Sequence, residues 1–322
     1  MAHQLYTNKD GKVSFAFTGP REAVWHSLGQ ELTEGADLET WKIEAGMNWD
    51  ALESTILFRA HNHPLSEFPG RKALYRSDTG APLSIVGSDY NVVQPGEVIE
   101  FFRDLTEIHG MKLSSAGCLF GGTRFWALAE TGKEFEPIKG DSTVGHLLFV
   151  TSIDGSLSNT AKFVSTRVVC QNTLTVALGE KSTPMVRKTH RKVWDPTQVK
   201  IDLGLLNSNW ESFKNKLDAL ASHNMTNDEV ELFFKKTFYD PKKDEDSQTS
   251  GDMKRVMNLM SLYKTGAGAE YDYGTALGAL NAVTNLFTHG TGRVRSADRM
   301  FWNAYFDDSI KLNTMDKLLE LC

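Results

Sequence analysis

Two stretches decide the fold: MKLSSAGCLFGGTRFWALAE, residues 111–130, and HLLFVTSIDGSLSNTAKFVSTRVVC, residues 146–170. Each has two β-favouring runs around a turn signal, Gly121-Gly122 in the first and Asp154-Gly155 in the second. Paired runs around such dipeptides read as β-hairpins. Immediately upstream, KALYRSDTGAPLSIVGSDYNVVQ (72–94) reads as another hairpin turning at Asp78-Thr79-Gly80. Between the hairpins, PGEVIEFFRDLTEIHG (95–110) reads as a helix. Pro95 suits its first turn, Val98, Phe101, Phe102 and Leu105 repeat at helical spacing, and Gly110 suits its stop. QNTLTVALG (171–179) reads as a short helix that begins where the last strand ends.

Working outward, residues 67–180 form an α+β domain. It is an antiparallel sheet of hairpins with a packed helix, followed by a mostly helical C-terminal half. This order excludes a doubly wound nucleotide fold, which alternates strands with helices. Residues 1–66 read as an irregular segment wrapping the core, with Trp25, His26, Trp41 and Trp49 and one short helix at Leu38–Ala45. Residues 181–200 carry Lys181, Arg187, Lys188, Arg191, Lys192 and Lys200 against Asp195, and read as a basic loop between the halves.

Residues 201–322 read as a helical region. Leu203, Leu206, Trp210, Phe213 and Leu217 share a helical face. Thr226 and Glu229 form a capping box for the next helix. Residues 240–252, DPKKDEDSQTSGD, read as a polar loop and the stretch best suited to disorder. Further helices are expected around Val256–Tyr263, Thr275–Phe287 and Ile310–Leu319.

Composition bounds the function. The chain has 322 residues, 40% hydrophobic and 24% charged, so it can bury a core without staples. Its net charge is −6, the reverse of a protein coated with phosphate contacts, although a local basic groove on an acidic body remains compatible. Three cysteines, Cys118, Cys170 and Cys322, suit a reducing compartment and have no metal-ligand spacing. No apolar run is long enough to span a membrane, and no signal pattern opens the chain. These features lead us to expect a cytoplasmic protein of a host bacterial cell, without membrane contact or cofactor.

The catalytic signatures are missing: no Walker-type phosphate loop, no H-E-x-x-H and no G-x-S-x-G. His61 and His63 would need further ligands to hold a metal. Cys170 and His190 are a candidate thiol–imidazole pair, against the plainer reading of Cys170 as a buried structural thiol. Asp78, Asp89 and Asp154 sit at turns, where Asp belongs for backbone reasons.

Positive charge gathers around the sheet. Arg71, Lys72 and Arg76 lie on or before the first hairpin, and Lys162 and Arg167 lie on the last strand at a spacing that puts them on opposite faces. Arg187, Lys188, Arg191 and Lys192 follow. Phosphates need such groups on one surface, and Tyr75 or Tyr90 could stack bases. The alternative is a solvated charged edge over aromatics that belong to the core. Asn172, at the strand-to-helix junction, could bond a phosphate or base, or cap the short helix.

Four blocks carry a resemblance. They are MAHQLYTNKDGKVSFAFTG (1–19) with Trp25-His26-Ser27-Leu28-Gly29, residues 70–102, residues 154–178, and Tyr273 to Thr284. Together they resemble the phage- and plasmid-related family of unknown function, of the domain-of-unknown-function 932 type. Arg187-Lys188-Thr189-His190 departs from the order that family shows after the block matched by residues 154–178. Membership implies a mobile-element source and no established reaction.

The element order of residues 72–170 more distantly resembles phage single-strand annealing proteins, the Red-beta, Erf and RecT group. That resemblance implies a homo-oligomer that holds single-stranded DNA in a basic groove and pairs it with its complement without ATP, and hence a role in DNA recombination. The helical half would then supply subunit contacts or recruit a single-strand-binding protein. Two alternatives stay open: a non-enzymatic protein-interaction factor such as a host-defence inhibitor, and a nuclease or thiol-dependent enzyme with an unrecognised site.

Overall fold

The computed structural model describes residues 5–8, 10–19, 28–107, 110–167, 172–175, 185–204, 210–289 and 309–322. The fold is α+β. A large, mostly antiparallel sheet contains β1 (Phe15–Thr18), β2 (Gln30–Leu32), β6 (Lys112–Leu119), β7 (Arg124–Ile138), β8 (Asp141–Ser152), β9 (Asn159–Arg167), β10 (Asn172–Thr175) and β11 (Met185–Lys188). Its order is β10-β9-β8-β7-β6-β1-β2, with β11 also on β9, and among the described residues only β1–β2 is parallel. A second sheet, in order β3-β4-β5, contains β3 (Ala51–Arg59), β4 (Leu65–Arg76) and β5 (Pro82–Gly87).

The expected hairpins form. Phe120, Gly121 and Gly122 all take left-handed backbone between β6 and β7, a turn that favours glycine. At Gly122 a side chain would also strike Arg76 and Trp49, since an added Cβ would lie 2.7 Å from Arg76 Nη1. Every residue of β7 from Arg124 to Glu130 has a partner on β8, and alternation gives the sheet two apolar faces. One face, with Ala16, Cys118, Phe125, Ala127, Leu147, Phe149 and Phe163, joins the main core. The other gathers Phe15, Phe17, Trp126, Leu128, Leu148, Val150 and Val164.

Four expectations need correction. Residues 1–66 are not irregular, because they contribute β1, β2, α1 (Leu38–Glu44) and β3. Most side chains of β3 face water, so the strand lacks the half-buried alternation that marks one in sequence. The single helix expected over 95–110 is two, α2 (Pro95–Glu100) and α3 (Arg103–Glu107), parted where consecutive Phe101 and Phe102 are both fully buried. The helix expected over 171–179 is instead β10 where the chain is described: β9 offers an open ladder, and Thr173 and Thr175 suit a strand. The 181–200 loop is partly regular, containing β11 and the start of α4 (Pro196–Gly204).

The C-terminal region is helical: α5 (Trp210–Ser222), α6 (Asn227–Phe238), α7 (Ser250–Thr265), α8 (Ala269–Asp272), α9 (Ala276–His289) and α10 (Ser309–Leu319). Thr226 and Glu229 close the capping box of α6. Trp210 and Phe213 of α5 pack edge-on against Phe135 of β7, so this region shares the main core with the sheet. Residues 240–249 hold a fixed shape: the buried Gln248 side chain accepts from the Asp240 amide (2.9 Å) and donates to the carbonyls of Asp240 and Lys243 (both 3.0 Å).

Candidate nucleic-acid interface

The site is built where two turns interlock. β11 pairs along the outer side of β9, with Arg187 opposite Thr160 and Lys188 opposite Asn159. The chain then turns inward and buries His190. The His190 ring lies 4.4 Å from the Tyr90 ring, nearly parallel to it. Its Nδ1 is 3.1 Å from the Asn91 carbonyl and its Nε2 is 2.9 Å from the Leu157 carbonyl. Asn91 returns the bond, donating from its amide (2.7 Å) and its side chain (3.1 Å) to the His190 carbonyl.

The turn at 87–91 also ties in the small sheet. Arg71 pairs with Gly87, and the Ser88 amide donates to the Gly70 carbonyl. Asp89 then reaches Arg191 at 3.9 Å, with both side chains largely exposed. Arg71 and Arg191, over a hundred residues apart in sequence, are thus linked through the 87–91 turn. Arg71, Arg187 and Lys192 are exposed and make no ion pair among the described residues. Arg187 Nη2 lies 3.5 Å from the Met185 sulfur. Tyr75 shares the face of β4 that carries Arg71, by strand alternation, and is half-buried.

Other expected contacts are engaged elsewhere. Arg76 is buried, donates from Nε (2.9 Å) and Nη2 (2.7 Å) to the Asp78 carboxylate, and lies flat over Trp49 at 3.9 Å. The hydrogen bonds from Arg76 hold the Asp78 carboxyl below its ordinary range. Arg76 is therefore a structural cation, because a guanidinium stacked and bidentate has no free face for phosphate. Lys72 pairs with Glu53 at 2.7 Å and Lys188 with Asp202 at 3.5 Å. The Tyr90 hydroxyl donates to the Ser152 carbonyl at 2.8 Å, and burial pushes its ionisation up. With its ring already stacked on His190, Tyr90 is not a platform for a base.

Lys162 is fully buried and leaves the surface altogether. Arg167 and Asn172 are direct cross-strand partners at the far end of β9. They stand seven residues from the Thr160 position that faces Arg187, about 23 Å at roughly 3.3 Å per strand residue, so they do not join Arg187. Asn172 is a strand residue there, not a helix cap.

The thiol–imidazole pair also loses its base: both ring nitrogens of His190 are already set against carbonyls. Cys170, Trp25, His26 and Lys181 lie outside the described residues. Among the described residues no group of three His, Cys, Asp or Glu side chains could hold a metal ion, and no helix is long and apolar enough to cross a membrane. The residue that sequence reasoning undervalued is Asp89. It read as an ordinary turn aspartate, and its sequence carries no sign of Arg191.

Comparison with known families places residues 82–310, well over half of the chain, in a domain of unknown function, DUF932. The chain belongs to the DUF932 family. Comparison with curated proteins gives no match, and neither does comparison with solved structures. In this DUF932 protein the interlocked turns at 87–91 and 187–192 lie inside the family segment, whereas β3, β4 and Arg71 precede it.

Proposed function

We propose that this protein binds single-stranded DNA across Arg71, Arg187, Arg191 and Lys192, and acts as an ATP-independent strand-annealing protein of a mobile element. The observation that supports the reading is the Asp89–Arg191 approach (3.9 Å), which links the 87–91 turn, where Gly87 pairs with Arg71, to the segment that carries Arg187, Arg191 and Lys192. Phosphate attraction follows the local field, so these four exposed cations can bind DNA on a chain of net charge −6. Tyr75 is the aromatic left in position to stack on a base. Annealing needs only that two complementary strands be held extended together, which asks for backbone contacts and no bond chemistry.

The test is a strand-pairing assay with complementary labelled oligonucleotides and no nucleotide triphosphate. The reading expects pairing faster than the spontaneous rate, and expects Arg71→Glu combined with Arg191→Glu and Lys192→Glu to return it to that rate. Pairing unchanged by the wild-type protein would reject annealing.

A second reading, a protein-interaction factor without DNA contact, draws on a different observation. Leu57, Phe58, Leu65 and Phe68 on β3 and β4 are all exposed. Apolar side chains in water mark a protein contact more readily than a phosphate contact.

A further inference from the structure

Beyond the DNA reading, and independent of it, the second sheet carries an unfinished interface. β3 and the first half of β4 form a two-stranded ribbon, because β5 pairs only with residues from Arg71 to Tyr75 of β4. Large apolar side chains face water on it: Leu57 (54% exposed), Phe58 (44%), Leu65 (53%) and Phe68 (45%). Phe58 and Phe68 meet edge-to-face at 5.9 Å, and half-buried Ile56 falls on the Phe58 side of the strand by alternation. A two-stranded ribbon is marginal in water unless something covers it.

The outer edge of β3 is open among the described residues, since β3 pairs with β4 alone. It is closed at one point. The Ala51 amide donates to Gln94 Oε1 (2.8 Å), and Gln94 Nε2 donates to the Ala51 carbonyl (3.2 Å). Those bonds show that the Ala51 backbone points outward. The extra residues of the Thr55–Leu57 irregularity lie in β4, so β3 keeps its alternation. The backbone groups of Glu53, Thr55, Leu57 and Arg59 therefore face the same open edge.

We propose that this edge pairs with itself: two copies of the chain join β3 to β3, antiparallel, about a two-fold axis at Ile56. The charge pattern selects both the partner and the register. Glu53 and Arg59 are the charged residues of β3, opposite in sign and equally far from Ile56. An antiparallel pair of identical strands centred on Ile56 sets Glu53 against the partner's Arg59, and does so twice, as a two-fold interface requires. Moving the axis by one residue separates the charges. Lys72 occupies Oε1 of Glu53, and a carboxylate accepts further partners. In this register Phe58 lies beside Ser54 and next to Ile56 across the joint, so the apolar stripe on that face runs through both copies. The product is a six-stranded sheet with β5 at each end.

The test is sedimentation velocity on the full chain. The wild type should be a dimer, and Ile56→Asp a monomer. Glu53→Arg and Arg59→Glu should each raise the dissociation constant at least tenfold, and the double reversal should restore it. Because a surface charge change can disturb a fold, a second measurement uses geometry alone. A centred non-hydrogen-bonded pair has Cα atoms about 4.5 Å apart, within disulfide reach. Ile56→Cys in a Cys322→Ser chain should form a reducible covalent dimer under mild oxidation, beyond any formed by Cys322→Ser alone. A monomeric wild type, a dimer indifferent to the reversals, a double reversal that fails to restore it, or no added cross-link at position 56 would each overturn the proposal.

Discussion

Tyr90 stacks face to face on His190 at 4.4 Å, and this contact locks the end of the small sheet to the edge of the large one. Around it the Ser152, Asn91 and Leu157 carbonyls are all engaged by one ring or the other. The cations proposed to bind DNA hang from this lock, so its loss should be felt as both instability and weaker binding.

His190→Ala removes a buried ring and its contacts with the Asn91 and Leu157 carbonyls. It should cost about 3 kcal/mol, within the range for deleting a large buried side chain with its hydrogen bonds. Denaturant unfolding followed by tryptophan fluorescence measures this. A loss below about 1 kcal/mol, a typical value for a single net hydrogen bond, would mean the lock is not structural.

Arg76→Lys should be nearly as damaging as Arg76→Ala, because an ammonium can neither grip Asp78 with two nitrogens nor lie flat on Trp49. Both variants should lower the melting temperature, by about 1.5 °C for each ~1 kcal/mol lost in a chain of 322 residues. Normal stability combined with lost DNA binding would instead return Arg76 to the interface.

Gln248→Ala should free the 240–249 segment, since the Gln248 side chain bonds it at Asp240, Lys243 and Asp244. Limited trypsin digestion should then cut after Lys242 or Lys243 in the variant while the wild type resists. Equal cutting of both proteins would show that Gln248 does not hold the segment.

Buried His146 sits on β8 opposite Glu130, with no partner for its Nδ1, and burial lowers its ionisation to about 4. Burial also raises the ionisation of the neighbouring Glu130. The unfolded chain takes up the histidine proton near pH 6.5, whereas the folded chain resists until about 4. The stability His146 contributes is therefore present above pH 6.5 and is lost progressively down to about 4. The loss amounts to roughly 3 kcal/mol at 1.36 kcal/mol per pKa unit. His146→Gln should flatten the pH dependence of unfolding in that window. An unchanged slope would show that His146 does not titrate there.

Much of the fold was legible because burial left its period in the sequence. The Phe125-Trp126-Ala127-Leu128 run, the Gly121-Gly122 turn and the Thr226–Glu229 box all sit where local chemistry puts them. β3 was illegible because Leu57 and Phe58 face water, so its apolar residues follow no buried face. β10 was illegible because a four-residue strand, Asn172 to Thr175, depends on the open side of β9. For the site, sequence supplied the cations and not their partners. Asp78 stands two residues from Arg76, but Glu53, Asp202 and Asp89 reach Lys72, Lys188 and Arg191 only through tertiary structure. Pairing of that kind separates a structural charge from one left for a ligand.

The proposed DNA contact is tested most directly by fluorescence anisotropy of labelled single-stranded and duplex oligonucleotides, titrated with the protein at two salt concentrations. Base stacking on Tyr75 predicts tighter binding to single strands, and four phosphate contacts predict log affinity falling against log salt at a slope of roughly −3, about −0.7 per contact. No binding at low salt, or affinity flat with salt, would contradict the account.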